Sequence, residues 1–509
     1  MIGQLLSINA ERHARQIAVV FGSRRYTYAE LNDRACRLAN ALSQMGIGRG
    51  DRVATLQNNC NHFVDLFFAT AKLGSILVPV NFRLAANEVE FALNNCTPKA
   101  LFAGYSMQAT LTQLAGSSAV PAIVRWVPDT AAFAAAPDDE YERWLAQQDA
   151  REPETAVSLA HPHLLVHSSG TTGYPKAAIW THSTTLNSCS AKIIDFALSA
   201  SDSTAVFGPL FHVGPLMDLA VPLLLRGGKL VVGESSGFDP AKVLQTAADE
   251  LVTIMTIYPT MWRRVIQEVD PSQFDLSRLR MILTGGEPIS VPLLREVYAR
   301  FPQAGFVNTY GSTEGGPITT FLDAADSVRK IGSIGKPAFG VEVRIVGVSD
   351  EPVARGSVGE LLVRSPFVCD GYWNEPEQTT ASRLDSWWRT GDLVSQDEDG
   401  FLWIEGRKKD MIISGAENIY PIEIERVIAA LPGVREVGIV GVPDALWGEA
   451  VAAFVVREPG SSLDASSIVA HCKGHLASYK KPKHVRFVDS LPRTTVNKVS
   501  KALLRKQFQ

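Results

Sequence analysis

Cysteine is scarce and scattered in this chain of 509 residues. The six cysteines stand far apart and form no CxxC pair. Structural zinc sites and disulfide frameworks both need closely or regularly spaced cysteines. The sequence therefore predicts neither, and we expect most of the thiols to be buried and unreactive.

A long apolar run is also lacking. The longest, at residues 213–225, contains Asp218 and two prolines. It is shorter than the roughly 20 apolar residues that cross a bilayer as a helix. Residues 1–16 have neither the basic start nor the apolar stretch of a secretory signal. We therefore expect no membrane span and a cytoplasmic location.

The chain also lacks a large excess of charge of one sign, since it contains 49 Lys and Arg and 53 Asp and Glu. A net charge of −4 gives no reason to expect a nucleic-acid partner. The distribution is uneven, because from Lys473 onward ten basic residues face a single acid, Asp489. A basic end on a mildly acidic body suits a polyanionic small molecule such as a nucleotide, although a solvated basic tail is the alternative.

What the sequence does contain is a regular alternation of helix and strand patterns. Thr27 and Glu30 have the spacing of a capping box, and apolar residues at helical spacing follow as far as Gly46. A second helix is predicted at 63–73. Strands are predicted at 52–56, 76–80, 119–127, 230–232, 252–257, 281–284 and 305–309. This alternation predicts an α/β fold with largely parallel sheets.

The pattern changes twice towards the end of the chain. After about residue 330, short strands bounded by Gly and Pro are predicted at 341–345, 359–363 and 401–404, which indicates a small antiparallel or barrel-like region. From Asp410 onward the pattern predicts a separate α+β domain. Its expected helices are 421–430 and 466–476, and its expected strands are 434–440, 450–456 and 485–488.

The strongest chemical signal is the loop SSGTTGYPK at residues 168–176, which follows a strand-like segment. Small residues let backbone N–H groups approach an anion, the hydroxyls add donors, and Lys176 supplies a full positive charge. The loop thus favours phosphate binding, although its order differs from that of an ordinary P-loop. Taken alone it would also fit a mobile surface loop.

Four further segments follow in order: YGSTEG from Tyr310, RTGDL from Arg389, GRKKD from Gly406 and PRTTVNK from Pro492. Together with the loop, they resemble the adenylate-forming superfamily of acyl-CoA synthetases, firefly-type luciferases and peptide-synthetase adenylation domains. The resemblance runs from about residue 10 to the end. It implies an N-terminal adenylation domain, 1–408, of two α/β subdomains and a barrel-like region. A small mobile α+β domain, 409–509, would follow a hinge near Lys409.

The resemblance also implies roles for individual residues. Lys176, Thr313, Glu314 and Lys498 would be catalytic, with Glu314 holding Mg²⁺ and Lys498 bridging the substrate carboxylate and the α-phosphate. Tyr310 would stack on adenine. The residues implied in ATP or AMP binding are Ser169, Gly170, Thr171, Thr172, Gly173, Gly286, Glu287, Pro288, Tyr310, Gly311, Asp392 and Arg407. Each has an ordinary structural role as an alternative, and the order of five segments favours catalysis.

This residue set suits the implied chemistry. A carboxylate that attacks a polyphosphate brings anions together, so catalysis depends on positioning and charge neutralisation. In the second step the resemblance implies that the small domain rotates about Lys409 and opens a tunnel for coenzyme A. Gly415, Ala416 and Trp447 would line that tunnel. Relatives often have Gly where this chain has Ala416. The cluster Lys480, Lys481 and Lys483 would suit the CoA phosphates, with a solvated face as the alternative.

The acid pocket is predicted to be open and apolar. Relatives restricted to acetate have Trp at the position of Gly311, so glycine there leaves room for a larger acid. Phe211 and His212 would line the pocket, which is otherwise apolar. Since burying each CH₂ stabilises by about 0.8 kcal/mol, we expect a medium- or long-chain fatty acid, with an aryl acid as the alternative.

The sequence thus predicts an ATP-dependent acid–CoA ligase that forms acyl-CoA, AMP and pyrophosphate through an acyl adenylate. ATP, Mg²⁺, coenzyme A and a small carboxylic acid would be its ligands. Two other functions stay open: loading of an acyl group onto a carrier protein, and AMP binding without catalysis. The oligomeric state also stays open, with a homodimer as one option.

Overall fold

The computed structural model describes residues 1–130, 139–168, 175–286, 289–414, 417–444, 446–494 and 498–508. The chain divides into two compact units. The first comprises Met1–Ile331, Gly335–Glu342 and Val363–Trp388, and the second comprises Gly332–Ile334, Val343–Leu362 and Arg389–Gln509. Among the described residues, no helix is both long and apolar enough to cross a membrane.

The helices of the first unit follow the predicted alternation with strands. They are α1 (Ile2–Arg12), α2 (Tyr28–Gln44), α3 (Asn61–Leu73), α4 (Ala86–Cys96), α5 (Gln108–Gln113), α6 (Glu140–Ala146), α7 (His182–Asp195), α8 (Val221–Arg226), α9 (Pro240–Asp249), α10 (Pro259–Glu268), α11 (Val291–Arg300) and α12 (Pro376–Ala381). The predicted capping box at the start of α2 is confirmed. The Glu30 amide donates to Thr27 Oγ1 at 3.2 Å, and the Thr27 amide donates to Glu30 Oε2 at 2.7 Å.

Three sheets form the first unit. Their strands are β1 (Ile17–Phe21), β2 (Arg24–Thr27), β3 (Arg52–Leu56), β4 (Ile76–Pro79), β5 (Ala100–Gly104), β6 (Ile123–Val127), β7 (Pro162–Ser168), β8 (Lys176–Thr181), β9 (Ser203–Val206), β10 (Lys229–Val232), β11 (Ile254–Thr256), β12 (Met281–Gly285), β13 (Gly305–Ser312), β14 (Gly316–Leu322) and β15 (Lys336–Pro337). The strand orders are β2-β1-β10-β9, β6-β5-β3-β4-β7-β8 and β11-β12-β13-β14-β15. Most neighbouring strands are parallel, such as β3–β4 and β12–β13, whereas β1–β2, β7–β8, β13–β14 and β14–β15 are antiparallel. The predicted largely parallel α/β architecture is confirmed.

Apolar faces of the helices cover these sheets. One core cluster joins α9, α10 and α11 to β9–β13 and centres on Trp262, whose ring meets that of Phe301 at 5.3 Å between centroids. A second cluster packs α4 against the six-stranded sheet. Strands buried on both faces read as continuous apolar runs, which is why the sequence pattern identifies them well.

An irregular helical segment links β9 to β10. It starts with a single α-helical turn, Val213–Pro215, continues as a π-helical turn, Leu216–Ala220, and ends as α8. All five residues of the π-helical turn are buried. π-helical turns are rare and occur mostly within functional regions.

A five-stranded sheet follows the first three. It contains β16 (Glu342–Val346), β17 (Gly359–Arg364), β18 (Arg383–Leu384), β19 (Trp387–Gln396) and β20 (Leu402–Arg407), in the order β16-β17-β19-β18 with β20 paired to β19. The antiparallel β19–β20 pairing sets Asp392 opposite Arg407.

The part of the second unit that follows β20 is the predicted α+β region. Its strands are β21 (Ile412–Ser414), β22 (Glu417–Ile419), β23 (Val434–Asp444), β24 (Gly448–Arg457) and β25 (His484–Phe487). Its helices are α13 (Pro421–Ala429), α14 (Ala465–His475) and α15 (Lys501–Phe508). The sheet has the order β22-β21-β24-β23 with β25 on β24, and it has its own buried clusters. The predicted fold class, a large α/β part followed by a small α+β part, is confirmed.

Candidate active site

The hairpin β7–β8 carries the predicted phosphate loop. Ser168 and Lys176 are paired across the two strands, so the chain leaves and re-enters the sheet at one point. The loop itself, with Ser169, Gly170, Thr171, Thr172 and Gly173, lies outside the described residues. Its two ends are therefore fixed by antiparallel pairing at the edge of the six-stranded sheet.

Lys176 and Glu314, both predicted from the sequence, are joined through a tyrosine. The Lys176 ammonium donates to Gln378 Oε1 at 2.8 Å and lies 5.1 Å from the centroid of the Tyr372 ring. The Tyr372 hydroxyl donates to Glu314 Oε1 at 2.9 Å. Burial raises the pKa of Tyr372, and the Glu314 carboxylate raises it further, so the hydroxyl keeps its proton. The cation thus lies over the ring of Tyr372, and the carboxylate lies at the hydroxyl of the same side chain.

The turn between β13 and β14 positions Thr313 and Glu314. Ser312 pairs with Gly316, and the Gly315 amide donates to Ser312 Oγ at 2.8 Å. From outside the turn, the Trp180 indole donates to the Thr313 carbonyl at 3.1 Å and the Cys369 amide donates to the Glu314 carbonyl at 2.8 Å. The backbone of both predicted catalytic residues is therefore held from two sides.

Gly311 has a structural reason to be glycine. A Cβ atom there would collide with the backbone carbonyl oxygens of Gly316 and Pro317 on the neighbouring strand. The close approach of β14, at an irregularity of the β13–β14 register, explains why this position is glycine. That Gly311 leaves the floor of the acid pocket open stays a prediction. That role would be additional to allowing the close approach of β14.

The predicted adenine turn follows β12, next to Tyr310 on β13. Gly285 pairs with Thr309, and a Cβ on Gly285 would collide with the Thr309 carbonyl. Gly286 has φ of +77°, a backbone conformation that side chains other than glycine rarely adopt. Glu287 and Pro288 lie outside the described residues. Gly285 and Gly286 thus allow the chain to turn away from the end of β12, beside Tyr310.

Phe211 and His212, the predicted acid-pocket residues, lie directly before the helical turn Val213–Pro215. Their rings lie 4.7 Å apart between centroids, and the Phe82 ring meets Phe211 edge-on at 5.3 Å. Asn59 anchors the segment, since its side chain donates to the Gly208 carbonyl and accepts from the Leu210 amide, both at 2.8 Å. Asn59 had no signal in the sequence, because its partners are about 150 residues away.

In the second unit, Asp392 and Arg407 form an ion pair of 2.7 Å. Asp392 is only 4% exposed, whereas the side chain of Arg407 is 43% exposed. Nearby, burial lowers the pKa of Lys409, the predicted hinge residue; Asp410 opposes this effect, and Arg407 and Arg505 add to it. The pairing of β19 with β20 therefore sets these predicted residues close together.

Lys498 is exposed and is positioned by its own backbone. The Thr494 amide donates to the Lys498 carbonyl at 2.7 Å, and the Lys498 amide donates to Thr494 Oγ1 at 3.2 Å. Gly415 and Ala416, two of the predicted tunnel residues, lie outside the described residues. Trp447, the third, is 53% exposed.

Trp447 is held by Asp444, whose Oδ1 accepts from the Trp447 amide at 3.1 Å. Asp444 Oδ2 accepts from the Lys483 ammonium, and this bond and the backbone donors lower the pKa of Asp444 to about 2. Lys480 donates to both oxygens of Glu423 at 2.8 Å. Two of the three lysines in the predicted basic cluster therefore already have carboxylate partners.

Among the described residues, one group of side chains has the spacing of a metal site: His62, Asp139 and Glu142. Arg24 contacts both acids of that group and Arg34 contacts Glu142, so the group is part of an ion-pair network. Glu314 does not belong to it.

Two family patterns match the chain. The pattern described as "AMP-binding enzyme" matches residues 6–373, and "AMP-binding enzyme C-terminal domain" matches residues 423–498. The chain is 38% identical over 491 residues to a feruloyl-CoA synthase of Amycolatopsis, with 96% of each chain covered. It is 38% identical over 498 residues to an indoleacetate–CoA ligase of Aromatoleum aromaticum, again with 96% of each covered.

A long-chain-fatty-acid–CoA ligase of Mycobacterium tuberculosis is 35% identical over 485 residues, with 95% of this chain and 93% of that protein covered. Among solved structures, ATP-bound MatB from Rhodopseudomonas palustris matches with a TM-score of 0.90 at 29% identity. That match covers 100% of this chain and 99% of the other. The similarity therefore extends over the full length in both sequence and fold.

Proposed function

The chain belongs to the family of AMP-binding enzymes, and from this premise we propose how its residues act and which acid they accept. It is an acid–CoA ligase that joins a carboxylic acid to coenzyme A through an acyl adenylate, with ATP as co-substrate. The observation that carries the residue assignment is the grouping of Lys176, Tyr372 and Glu314 at the base of the β7–β8 loop.

We propose that this group binds the polyphosphate of ATP. Lys176 supplies a positive charge at the end of the loop 168–176, whose small and hydroxyl residues suit phosphate oxygens. Tyr372 keeps the Lys176 ammonium and the Glu314 carboxylate apart, because its ring contacts the first and its hydroxyl binds the second. Each charge therefore stays available to the nucleotide and is not neutralised by the other.

We further propose that Glu314 holds Mg²⁺. Magnesium is bound in nucleotide enzymes through one or two carboxylates together with substrate phosphates, and a single carboxylate next to a phosphate loop fits that pattern. One carboxylate oxygen accepts from Tyr372. When bound, the ion neutralises phosphate charge. Thr313, held on the same turn by Trp180, is proposed to contact the α-phosphate.

Asp392 and Arg407 are proposed to bind the ribose. A buried carboxylate can accept hydrogen bonds from two neighbouring hydroxyls, and Arg407 lies beside it at 2.7 Å. Lys498 is proposed to bring a mobile positive charge to the acid and the α-phosphate. A lysine suits this role because its ammonium is a compact charge on a flexible stem.

For the second step we propose residues 1–408 and 409–509 as the moving domains, with Lys409 as hinge. The exposed indole of Trp447, on a turn fixed by Asp444, is proposed to pack on the pantetheine arm together with Gly415 and Ala416. Lys480 and Lys483 are paired with carboxylates, whereas the Lys481 ammonium donates to the neutral Ser478 hydroxyl at 2.9 Å, so Lys481 is the member of the basic cluster that we propose for the CoA phosphates.

The acid is proposed to have a bulky apolar body and to be an aryl acid. Two relatives at 38% identity are named for feruloyl-CoA and indoleacetate–CoA, and both acids carry an aromatic ring. Aromatic and apolar residues near His212, including Phe82 and Phe211, suit such a ring. A fatty acid is the second candidate, favoured by the long-chain relative at 35% identity.

Acid-dependent release of pyrophosphate, measured with and without coenzyme A, tests the proposal. We expect release with an aryl acid and ATP, and a CoA thioester detectable by mass spectrometry once CoA is added. Release without any thioester would favour transfer to a carrier protein. An assay panel of aryl and fatty acids that gives no release would overturn the proposal.

A further inference from the structure

Two buried oxygen atoms without hydrogen-bond partners lie beside the proposed acid pocket. Asp218, on the π-helical turn, is only 5% exposed, and within the described part of the chain its Oδ1 atom has no partner. The Tyr258 hydroxyl, at the start of α10, is likewise buried without one. Leaving a buried polar group without a hydrogen-bond partner is unfavourable in free energy. A bound group that supplies the missing bonds would recover this free energy.

Both residues face the same small region, next to Gly214. A Cβ atom built on Gly214 would lie 3.6 Å from Asp218 Oδ2 and 3.6 Å from the Tyr258 hydroxyl oxygen. Gly214 is two residues after His212, within the proposed acid-pocket segment. The Asp218 atom next to Gly214 is Oδ2, the other oxygen of the same carboxyl group, and glycine at 214 adds no side-chain atoms between that group and the Tyr258 hydroxyl.

The Tyr258 ring lies between the acid segment and the adenine turn. A Cβ on Gly208 would contact its Cε2 atom at 2.7 Å, and a Cβ on Gly286 would lie 3.8 Å from its Cδ1 and Cε1 atoms. Gly286 belongs to the turn proposed for the nucleotide. The ring therefore forms a wall of the proposed pocket, with its hydroxyl at the buried end near Asp218.

A buried lysine completes the group. Lys192 on α7 is 1% exposed, donates to Ser188 Oγ at 2.9 Å and lies 4.8 Å from the centroid of the Phe367 ring. Burial raises the pKa of Asp218 and lowers that of Lys192, while the charge of each partly offsets the effect of burial on the other. The lysine thus gives Asp218 a counter-charge that does not occupy its free oxygen.

We propose that Asp218 and Tyr258 bind a hydroxyl group at the end of the acid remote from its carboxylate. This inference rests on the proposed function, since it concerns the same acid pocket. A hydroxyl both donates and accepts, so it can donate to Asp218 and accept from Tyr258 at once. The substrate class is therefore an acid with an apolar body and a hydroxyl at its far end, such as a ring-hydroxylated aryl acid.

Other polar groups match this position less well. The substrate carboxylate itself would face the Asp218 carboxylate, and like charges repel strongly in a buried site. An ammonium group donates but cannot accept, so it would leave the Tyr258 proton without an acceptor. A buried water molecule could make the same two hydrogen bonds as a substrate hydroxyl. The experiment therefore has to distinguish water from a substrate hydroxyl at this position.

The test compares acids that differ by one hydroxyl group. Cinnamate is paired with 4-hydroxycinnamate, 3-phenylpropionate with its 4-hydroxyphenyl analogue, and decanoate with 10-hydroxydecanoate. The measurement is kcat/KM for pyrophosphate release by the full-length protein. We expect at least one hydroxylated acid to exceed its partner by about tenfold or more, because a site that binds a hydroxyl rejects the analogue without it.

Variants then assign the preference to the two residues. Asp218→Leu and Asp218→Asn should each reduce kcat/KM for the hydroxylated acid by a larger factor than for its partner, and Tyr258→Phe should do the same to a smaller degree. Thr204→Val is the matched control, since Thr204 Oγ1 is also buried without a partner, on β9. Melting temperatures identify any variant that fails to fold. The comparison of the acids within each pair uses the wild-type protein and needs no variant.

Equal turnover within every pair would overturn the inference and favour a water molecule, while leaving the ligase assignment intact. A preference for hydroxyl that persists in both Asp218 variants and in Tyr258→Phe would overturn the assignment to these residues. If no acid releases pyrophosphate, the proposed function itself fails and the inference fails with it.

Discussion

Lys498 is the residue on which the proposed adenylation step depends most directly. We expect Lys498→Ala to slow adenylate formation by about 10²–10³-fold, a typical loss for one electrostatic contact to a transition state. Thioester formation from supplied acyl adenylate should be spared, since that step no longer needs the charge between acid and α-phosphate. Separate assays of the two half-reactions measure both effects.

Lys506→Ala is the matched control for this prediction, because Lys506 is another exposed lysine near the C-terminus. It should change neither half-reaction. An equal loss of both half-reactions in Lys498→Ala would contradict the assigned role.

His182 makes stability depend on pH. Neither ring nitrogen has a partner among the described residues, and burial lowers the pKa of His182 from 6.5 to about 4. Between these values the unfolded chain binds a proton that the folded chain does not. Stability therefore falls as the pH drops from 6.5 towards 4, by up to about 1.4 kcal/mol per pH unit for one proton. His182→Leu should flatten the melting temperature against pH over this range.

His475→Leu, at an exposed histidine, serves as the comparison for His182 and should leave the profile unchanged. Parallel profiles for the wild type and His182→Leu would show that His182 does not contribute.

At the scale of elements, the β13–β14 pair depends on Gly311. Since a Cβ at this position would collide with two carbonyl oxygens of β14, we expect Gly311→Ala to destabilise the protein by about 1–3 kcal/mol through backbone displacement. A melting-temperature measurement checks this. Gly315→Ala is the comparison, because its Cβ would meet its nearest neighbour only at 3.1 Å and that neighbour is a side-chain oxygen, Ser312 Oγ. An undisturbed Gly311→Ala protein would show that the strands can separate at low cost.

Helices and strands with a local signal could be predicted from the sequence, with small errors at their ends. The helix expected at 421–430 is observed as Pro421–Ala429, and the strand expected at 434–440 extends to Val434–Asp444. The strand expected at 119–127 is shorter, Ile123–Val127, since Pro121 precedes it and cannot donate to a sheet.

Contacts between distant segments could not be predicted in this way. Tyr372 binds Glu314 across 58 residues of sequence, and no local pattern marks it. Asp218 was visible in the sequence only as an interruption of an apolar run. Its relation to Tyr258 depends on how a π-helical turn packs beside the start of α10, which is set by tertiary structure. Motif order predicts which segments carry the proposed site, and the structure shows which of their described side chains meet.

At the scale of the whole molecule, the proposed domains 1–408 and 409–509 have separate buried clusters, such as the one around Trp262 in the first and the one around Ile424 in the second. Units with separate cores can keep their internal packing while they move. We expect Lys409→Pro, which restricts backbone rotation at the proposed hinge, to slow thioester formation at least about tenfold while adenylate formation continues.

Lys409→Ala removes the same side chain but leaves the backbone free to rotate, so it should retain both half-reactions. If proline and alanine have the same effect, backbone rotation at 409 is not required for the second step.

The depth of the cysteines has a practical consequence for work on this enzyme. All six are buried, and burial raises the pKa of thiols such as Cys96 and Cys189 to about 12. A protonated thiol inside a packed core is a poor nucleophile. An aromatic disulfide dye would thus report the disappearance of free coenzyme A with little background from the folded protein. A single cysteine added at the surface would accept a fluorophore without removal of the native ones.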